Sequence, residues 1–557
     1  MIDRGAVAEY DRYWQSVKPC PLETGEVRTG LWRKARVIQT SLKEGPECEA
    51  FDAVVGGGGP AGVLLGSILA KNGFRVLLLE KNARLHCGST WNLSRPEFEG
   101  LKRTGVLADA LWEGLVEGEF VEGVSRFHDD SVPVPRQREF DWNEVLNISI
   151  NEVEFFRLLS ATPGLSVRTG CRARLAMVSP TAAYVECGDG KTMVRGRLFV
   201  DATGWRSPLA ALMNAGLHTE SVYNMFGVHT SRKLPRILGP SGRPLGLICA
   251  TFENEISTDA GMVQPILERF TNYVPDRVDG GDIIYYFSRT ARPAPILPLV
   301  DEMLPRLHLV LDGFTEDIVD RTYFGHGPGY YYPGPFAEFG IRTSVGNRVY
   351  LAGAAGFQYN GLTGCVFGAL ARNAASLGAA LARALGKDDL SSNALQRIDI
   401  DPRERISMSI GGLFGGSMVL GAGERPGAVN RDWIMFSDML GGLNARFKNE
   451  SLRDKIPLST LNRLVAICAG KPGIIEAVLR NNRGHAGIVV WTFISSYVKL
   501  LWEELKRLIL RRKYKYAAGS GMGVARLPLY AVNVTRFWSG ARGLKRVEPA
   551  VKGAEKK

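Results

Sequence analysis

The apolar residues near the N-terminal end of the chain follow two kinds of spacing. Short, mostly apolar runs at 51–55 (FDAVV) and 75–80 (RVLLLE) are typical of buried parallel strands. Between them, residues 60–72 have the composition and length of a helix, which Gly73 would end. The pattern predicts strand, tight turn, helix and strand, the βαβ unit of a doubly wound α/β fold.

Later segments extend this prediction. Residues 196–213 predict a strand that ends in the sequence DATG, followed by a loop and a helix. Residues 346–385 predict a strand, a Gly/Ala-rich turn and a long helix of small residues. Beyond residue 385 helical spacing dominates, and residues 491–516 place an apolar stripe beside many Lys and Arg residues.

Composition and charge narrow the class of protein. Lys and Arg (69) exceed Asp and Glu (57), giving a net charge of +12 that suits an anionic surface. We favour membrane lipid and expect no nucleic acid partner, because the chain has no nucleic-acid-binding motif. The eight cysteines have no CxxC spacing, which predicts reduced thiols in a cytosol-like compartment and no metal site. Without a signal peptide pattern or a long apolar run, we expect a cytoplasmic protein that touches a membrane peripherally, or a plastid one in a photosynthetic eukaryote.

The first βαβ unit carries a glycine motif with a specific use. Gly57, Gly59 and Gly62 have the GxGxxG spacing, and Glu80 ends the next strand 18 residues after the third glycine. Because glycine has no side chain, the backbone of the loop can approach a pyrophosphate at the helix N-terminus. The carboxylate of Glu80 can accept hydrogen bonds from ribose hydroxyls. The alternative is a glycine-rich turn in an ordinary βαβ unit.

The DATG segment and the segment at 346–385 resemble the second and third flavin segments of two-domain FAD-dependent hydroxylases and reductases. That resemblance favours FAD over NAD and implies a helix aimed at the isoalloxazine ring. The superfamily has a GDA sequence in its third segment, whereas this chain has Gly353-Ala354-Ala355 and lacks the carboxylate. The resulting candidates for FAD contact are Gly57, Gly59, Gly62, Glu80, Lys81, Trp91, Asn92, Arg95, Asp201, Gly204, Gly353 and Gly356.

The stretch from Trp91 to Arg95 precedes a predicted helix, with Ser94 as its N-cap and Pro96 in its first turn. We predict that Arg95 reaches the FAD phosphates, the alternative being a surface arginine. Trp91 and Asn92 would line the flavin site, or Trp91 would fill the junction between domains.

Blocks of sequence outside the glycine motif resemble the CruA/CruP-type lycopene cyclase family. They are TWNLSRPEFEGLKRTGVL (90–107), LVEGEFVEGVSRFHDD (115–130), YYFSRTARP (285–293), FGHGPGYYYPGPF (324–336) and GAAGFQYNGLTGCVFGALARN (353–373). The resemblance covers roughly residues 50–385. It implies a flavoprotein that isomerises or cyclises a carotenoid with little net redox change, using an acid, a base and an apolar slot.

The residues for such chemistry are less clear than those for FAD. Plant-type lycopene cyclases carry a glutamate on one strand of the substrate domain. The comparable strand here, residues 283–290, contains no carboxylate. Glu253 and Glu255 are substitute candidates, with Glu119 and Glu122 as others. Aromatic candidates for the cavity wall are Tyr286, on a strand whose aromatic residues could equally be core, and Tyr331 in a Gly/Pro-rich loop.

The sequence therefore predicts three parts. These are an N-terminal extension (1–49), an FAD-binding domain (50–385) with a β-sheet substrate domain inserted at approximately 110–150 and 210–335, and a helical region (386–557) with a membrane-contacting helix and a disordered tail. The helix at 491–516 could instead dock on its own protein. The leading hypothesis is a lycopene cyclase-like enzyme acting on a carotenoid or another isoprenoid. The alternatives are an FAD-dependent monooxygenase or prenyl reductase that uses NAD(P)H, and a non-catalytic isoprenoid-binding protein.

Overall fold

The structure is a computed structural model. It describes residues 2–16, 39–40, 45–85, 91–129, 136–188, 192–214, 218–219, 222–239, 241–250, 256–258, 261–263, 266–270, 281–290, 293–328, 331–332, 344–360, 366–415, 428–481 and 486–519. Two candidate acids, Glu253 and Glu255, lie outside the described residues, and so does the basic tail.

Fifteen α-helices lie in the described ranges. They are α1 (Arg4–Ser16), α2 (Pro60–Lys71), α3 (Arg95–Lys102), α4 (Asp109–Glu113), α5 (Glu152–Ser160), α6 (Pro208–Met213), α7 (Ile296–Val310), α8 (Val366–Gly386), α9 (Ser392–Leu395), α10 (Pro402–Gly415), α11 (Ala428–Gly441), α12 (Ala445–Leu452), α13 (Leu458–Gly470), α14 (Pro472–Asn481) and α15 (Ala486–Gly519). Short 3-10 turns occupy Glu316–Ile318 and Gly353–Gly356.

The same ranges contain the strands β1 (Gln39–Thr40), β2 (Glu49–Gly56), β3 (Val76–Leu79), β4 (Trp91–Leu93), β5 (Val116–Glu119), β6 (Glu122–Asp129), β7 (Arg136–Asn143), β8 (Ile148–Ile150), β9 (Leu165–Arg168), β10 (Ala173–Val178), β11 (Ala183–Cys187), β12 (Thr192–Asp201), β13 (His218–Thr219), β14 (Val222–Thr230), β15 (Leu247–Ala250), β16 (Ile256–Thr258), β17 (Gly261–Val263), β18 (Ile266–Phe270), β19 (Ile283–Thr290), β20 (Val319–Pro328), β21 (Tyr331–Tyr332), β22 (Ser344–Gly346) and β23 (Val349–Leu351).

The first large sheet carries the predicted nucleotide-binding unit. Its strands run in the order β1-β10-β11-β12-β2-β3-β9, and β23 joins β12 in parallel. Strand β2 lies parallel to both β12 and β3, as the βαβ prediction requires. Every side chain of β3 is buried, because helices cover a parallel sheet on both faces, and this explains the unbroken apolar run. The α/β fold prediction is confirmed.

The second large sheet has seven strands in the order β20-β14-β19-β18-β15-β6-β7. One of its faces packs against α7 through Phe226, Ile284 and Tyr286. The end of the sheet formed by β6, β7 and β15 packs against the C-terminal helices through Phe127 and Trp142. Its strands come from two separated stretches of the chain, 122–143 and 222–328.

Helices follow one another from residue 366 onward, as the change of periodicity predicted. The chain divides into two compact units, Met1–Leu501 and Trp502–Lys557, and the boundary falls within α15. Both large sheets belong to the first unit. Among the helices in the described ranges, none has the length and apolar character needed to cross a bilayer.

Candidate functional site

The glycine loop between β2 and α2 is held by close backbone contacts. A Cβ on Gly57, whose φ is +100°, would lie 2.4 Å from the carbonyl oxygen of Ala202, and one on Gly62 would lie 1.9 Å from the Gly57 oxygen. By contrast, no described atom lies within 4 Å of a Cβ on Gly59, which is the N-cap of α2. The loop is therefore tight on its inner side and open at the helix N-terminus, where a pyrophosphate would bind.

Glu80 follows β3 and faces this loop. One carboxylate oxygen accepts from the Gly58 N–H at 2.7 Å and the other from the Asn82 N–H at 2.8 Å. Each carboxylate oxygen has a second lone pair, so Glu80 can still accept from ribose hydroxyls. Lys81, the next residue, is exposed.

The second predicted segment ends β12 and forms a closed turn. The buried Asp201 accepts from the Thr203 N–H at 2.9 Å, from the Thr203 hydroxyl at 2.6 Å and from the Ser207 hydroxyl at 2.5 Å. Burial raises the pKa of Asp201, and these hydrogen bonds oppose the shift. Gly204 has a φ of +92° and open space beside it. Asp201 thus organises the turn, while Gly204 leaves the surface of the turn uncovered.

The third segment is a 3-10 turn that lies against the first two. The Ala352 N–H donates to the Asp201 carbonyl at 2.8 Å, and a Cβ on Gly353 would lie 2.7 Å from the Cβ of Ala61 in α2. A Cβ on Gly356 would lie 2.6 Å from the Leu351 oxygen. The three segments that the sequence separates by about 140 residues therefore meet at the N-terminus of α2.

Side chains that the sequence analysis did not identify hold this third segment. The Gln358 side chain accepts from the Gly353 N–H at 2.8 Å and donates to the Tyr350 hydroxyl at 3.0 Å. Phe357 has a φ of +52°, a left-handed conformation that a residue with a Cβ seldom adopts. A turn of this kind needs support from its surroundings.

Arg405 of α10 supplies that support. Its guanidinium donates to the Phe357 carbonyl at 2.5 Å and to the Gly356 carbonyl at 3.2 Å, and its Nε donates to Asp399 at 3.0 Å. The Arg405 side chain is buried. A residue of the helical region thereby fixes two carbonyl groups of the turn that lacks the expected aspartate.

Trp91 and Asn92 lie on β4, beside this junction. The buried Trp91 ring stacks on Phe367 of α8 with the ring centroids 4.4 Å apart, and meets Phe155 and Phe156 edge-on. Trp91 therefore packs inside one hydrophobic core, and its place at the flavin site or at a domain junction stays a prediction. Both polar atoms of the Asn92 amide are buried and have no hydrogen-bond partner among the described residues. An unsatisfied buried amide is costly, so Asn92 is a candidate for contact with a bound molecule.

Arg95 begins α3 behind Ser94, whose capping box with Glu97 confirms the predicted helix start. Its guanidinium forms ion pairs with Glu113 at 3.3 Å and with Glu119. Contact between Arg95 and the FAD phosphates stays a prediction, and binding would have to compete with these pairs. Glu119, one of the candidate acids, is neutralised by the same contact.

A buried ionic cluster joins α3, α8 and the C-terminal helices. Arg372 pairs with Glu97 and, through its Nε at 3.0 Å, with Glu404, while its Nη2 lies 3.8 Å from Asp454. Burial alone lowers the pKa of Arg372, but the carboxylates outweigh it and hold the pKa above its ordinary value. Asn360 donates to Asp454 at 3.0 Å and so ties the end of the third segment to the cluster.

Tyr286 and Tyr331, the aromatic candidates for the cavity wall, lie on different strands. Tyr286 lies on the face of β19 that packs against α7, so its ring belongs to the core, and a cavity role does not agree with this position. Its neighbour Tyr285 lies on the opposite face, 6.0 Å from Tyr323 between ring centroids. Tyr331 pairs through its backbone with Thr219, and its side chain lies outside the described residues.

Another aromatic cluster follows the DATG turn. The ring centroids of Trp14 in α1 and His326 are 4.5 Å apart. The guanidinium carbon of Arg206 lies 4.6 Å from the centre of the Trp14 ring. His326 lies between the Tyr10 hydroxyl at 3.1 Å and the Ala294 carbonyl at 2.8 Å, and burial lowers its pKa. The N-terminal helix thus braces the loop that leaves the second flavin segment.

These observations fit a dinucleotide. Backbone N–H groups at an open helix N-terminus, a carboxylate with free lone pairs and an unsatisfied amide could receive its pyrophosphate, its ribose and a polar edge of its ring system. The described residues include no group of three or more His, Cys, Asp or Glu placed to hold a metal ion.

Comparison with known proteins agrees with this geometry. Residues 52–218 match the family model described as FAD dependent oxidoreductase. Tetracycline 7-halogenase from Kitasatospora aureofaciens is 32% identical over 184 residues, which are 29% of this chain and 32% of the halogenase. The chain therefore spans about a third of the length of the curated relative that it matches.

Solved structures with a related overall arrangement are more distant. A geranylgeranyl bacteriochlorophyll reductase-like protein from Thermoplasma acidophilum is 16% identical, with a TM-score of 0.49, and the match covers 78% of this chain and all of that one. The halogenase PltM is 14% identical with a TM-score of 0.49, covering 80% and 96%. The p-nitrophenol 4-monooxygenase PnpA from Pseudomonas putida DLL-E4 is 18% identical with a TM-score of 0.49, covering 75% and 98%.

The family match and the convergence of the three segments lead to the same result. Both observations give FAD as the cofactor of this chain, as predicted.

Proposed function

We propose that this protein is an FAD-dependent oxidoreductase in which NAD(P)H reduces the flavin and the reduced flavin acts on a lipophilic substrate. The observation that carries the proposal is the meeting of three flavin segments around the open N-terminus of α2. The first two of these segments lie within residues 52–218, which match FAD dependent oxidoreductases. When bound, FAD supplies electron transfer. The residues of the chain bind, orient and shield it.

The halogenase relative supports redox chemistry over a reaction without net electron transfer. A lipophilic substrate is supported by the second sheet, where Tyr285 and Tyr323 adjoin on the face away from α7. Gly227 lies opposite both in the strand register, and a Cβ there would meet the Tyr285 ring at 2.5 Å. A glycine at this position therefore leaves room for the Tyr285 ring against the sheet. Peripheral contact with a membrane is part of the same proposal.

Anaerobic mixing of the FAD-loaded protein with NADH or NADPH tests the proposal directly. We expect the absorbance of oxidised flavin to bleach, and we expect consumption of the nicotinamide in proportion to turnover once a substrate is present. If bound flavin is not reduced by either nicotinamide, the proposed electron donor is wrong. A protein that stays colourless after incubation with FAD would support a non-catalytic isoprenoid-binding role instead.

A second candidate is cyclisation or isomerisation of a carotenoid. It is favoured by one observation: the sequence blocks that carry the cyclase resemblance adjoin in space, where Trp91 stacks on Phe367 and Glu97 pairs with Arg372. Production of the protein in a lycopene-accumulating bacterium, followed by pigment chromatography, distinguishes the two. A cyclase would convert lycopene with only catalytic amounts of reductant, whereas an oxidoreductase would consume reductant with each turnover.

A further inference from the structure

We propose that α15 docks on the surface of an anionic lipid membrane. In the first unit the helix exposes Val490, Trp491, Ile494, Val498 and Leu501. We call these five residues the apolar stripe. The inference gives the proposed membrane contact a surface and a lipid chemistry, and it does not depend on the reaction that the flavin catalyses.

In the first unit α15 has apolar residues on two sides. Val489 and Leu500 are buried in the core of the C-terminal helices, and Phe493 and Tyr497 pack against that core. The side chains of the apolar stripe are instead between 42% (Trp491) and 61% (Leu501) exposed. A helix on the surface of a globular protein normally turns its apolar side inward, so a second apolar side in solvent indicates a binding surface.

The charge of the chain is concentrated in the same region. Residues 486–557 hold 15 of the 69 Lys and Arg residues and 4 of the 57 Asp and Glu residues, a net charge of +11 out of +12. The other 485 residues are thus nearly neutral, at +1. The basic excess accompanies the apolar stripe and is not spread over the enzyme. Apolar and cationic groups together match a bilayer with anionic headgroups.

The width and composition of the apolar stripe favour lipid over a second copy of the chain. Six positions (491, 494, 498, 501, 505 and 508) follow the alternating spacing of three and four residues that a two-stranded coiled coil uses. In the first unit Val490 is exposed as well and widens the face beyond such a seam. The ammonium of Lys506 lies 5.6 Å from the centre of the Trp502 ring, and tryptophan beside a cation is typical of the headgroup level of a membrane.

Vesicle sedimentation of the full-length, FAD-loaded protein tests the proposal. The probes are vesicles of phosphatidylcholine alone and of phosphatidylcholine with phosphatidylglycerol. We expect at least tenfold stronger partition onto the anionic vesicles, and weaker partition at about 1 M salt, where the Debye length falls to about 3 Å. The double substitution I494Q/L501Q should lower the partition at least tenfold, because it removes two exposed apolar side chains from the stripe.

A matched control removes equally exposed apolar residues elsewhere. Val153 on α5 is 67% exposed and Leu238 is 63% exposed, so V153Q/L238Q should leave partition unchanged. Equal partition of I494Q/L501Q and the wild type would overturn the proposal. So would a protein that ignores vesicles and forms a concentration-dependent dimer that I494Q/L501Q abolishes. FAD content and Tm verify the folding of each variant, and flavin reduction without vesicles reports on the proposed function separately.

Discussion

The glycine loop and the third flavin segment lie side by side but are held in different ways. The loop is shaped by its own backbone: Gly57 and Gly62 are tight because the atoms they approach belong to the loop and to the adjoining DATG turn. The third segment depends on side chains from elsewhere. Arg405 holds its carbonyl groups, and Asp454 holds the Asn360 side chain next to it.

The difference shows how a flavin site can lose a characteristic carboxylate and remain assembled. The resemblance described in the sequence analysis predicts an aspartate in the third segment, and Ala354 occupies that position. The turn is instead held by hydrogen bonds from the Arg405 guanidinium, which the cofactor need not contact. Local and distant support can therefore be tested separately.

The largest effect is expected at Gly62. The substitution G62A places a Cβ 1.9 Å from the Gly57 oxygen, a backbone atom that cannot move without opening the loop. We expect FAD affinity, measured by fluorescence titration, to fall about 100-fold, or roughly 3 kcal/mol. As a control, G66A on the same helix meets only the end of the Leu165 side chain at 3.3 Å and should bind FAD within a few fold of the wild type. Normal affinity in G62A would show that the loop is not set by this contact.

The distant support is tested at Arg405. The substitution R405M removes the donors of two carbonyl groups and the ion-pair partner of Asp399, and we expect the free energy of unfolding to fall by about 3 kcal/mol. FAD should also bind more weakly, because the third segment loses its shape. Denaturant unfolding and FAD titration measure the two effects.

Arg403, two residues away, provides the matched control. Its guanidinium pairs with Asp401, two residues before it in the chain. R403M should cost about 1 kcal/mol or less and leave FAD affinity unchanged. R405K should restore part of the affinity, since an ammonium can donate to the carbonyl groups. If R405M unfolds more easily but binds FAD normally, Arg405 is structural support for α10 alone.

The smallest effect concerns pH and the support of the second segment. Burial lowers the pKa of His326, so the unfolded chain binds more protons than the folded chain below about pH 6.5. Above that pH, the contribution of neutral His326 to the free energy of unfolding is fully present. This contribution is lost as the pH falls to the folded pKa of His326. Its size is about 1.4 kcal/mol for each unit by which the folded pKa lies below the unfolded pKa. A charge on His326 would also lie near Arg206. H326Q should unfold with less acid dependence than the wild type, and equal acid dependence would contradict the prediction.

The sequence predicted the parts of the site that depend on neighbours in the chain. The boundaries of α2, the N-cap at Ser94 and the turn after Asp201 all follow from local spacing. Arg405 could not be found in this way, because its partners are backbone carbonyl groups 48 and 49 residues away. Every residue has a backbone carbonyl group, so the residue types at those positions do not indicate the contact. Tyr286 shows a related limit: alternation identifies two faces of a strand without revealing which one a helix covers.

The position of Arg405 has a consequence for synthesis of the protein. A ribosome completes the glycine loop, the DATG turn and the GAAG turn well before it reaches residue 405, and Asp454 follows about 50 residues later. The emerging chain therefore has all three flavin segments but not the side chains that hold the last one. We expect the nascent polypeptide to capture FAD late, once α10 and the loop that carries Asp454 have left the exit tunnel.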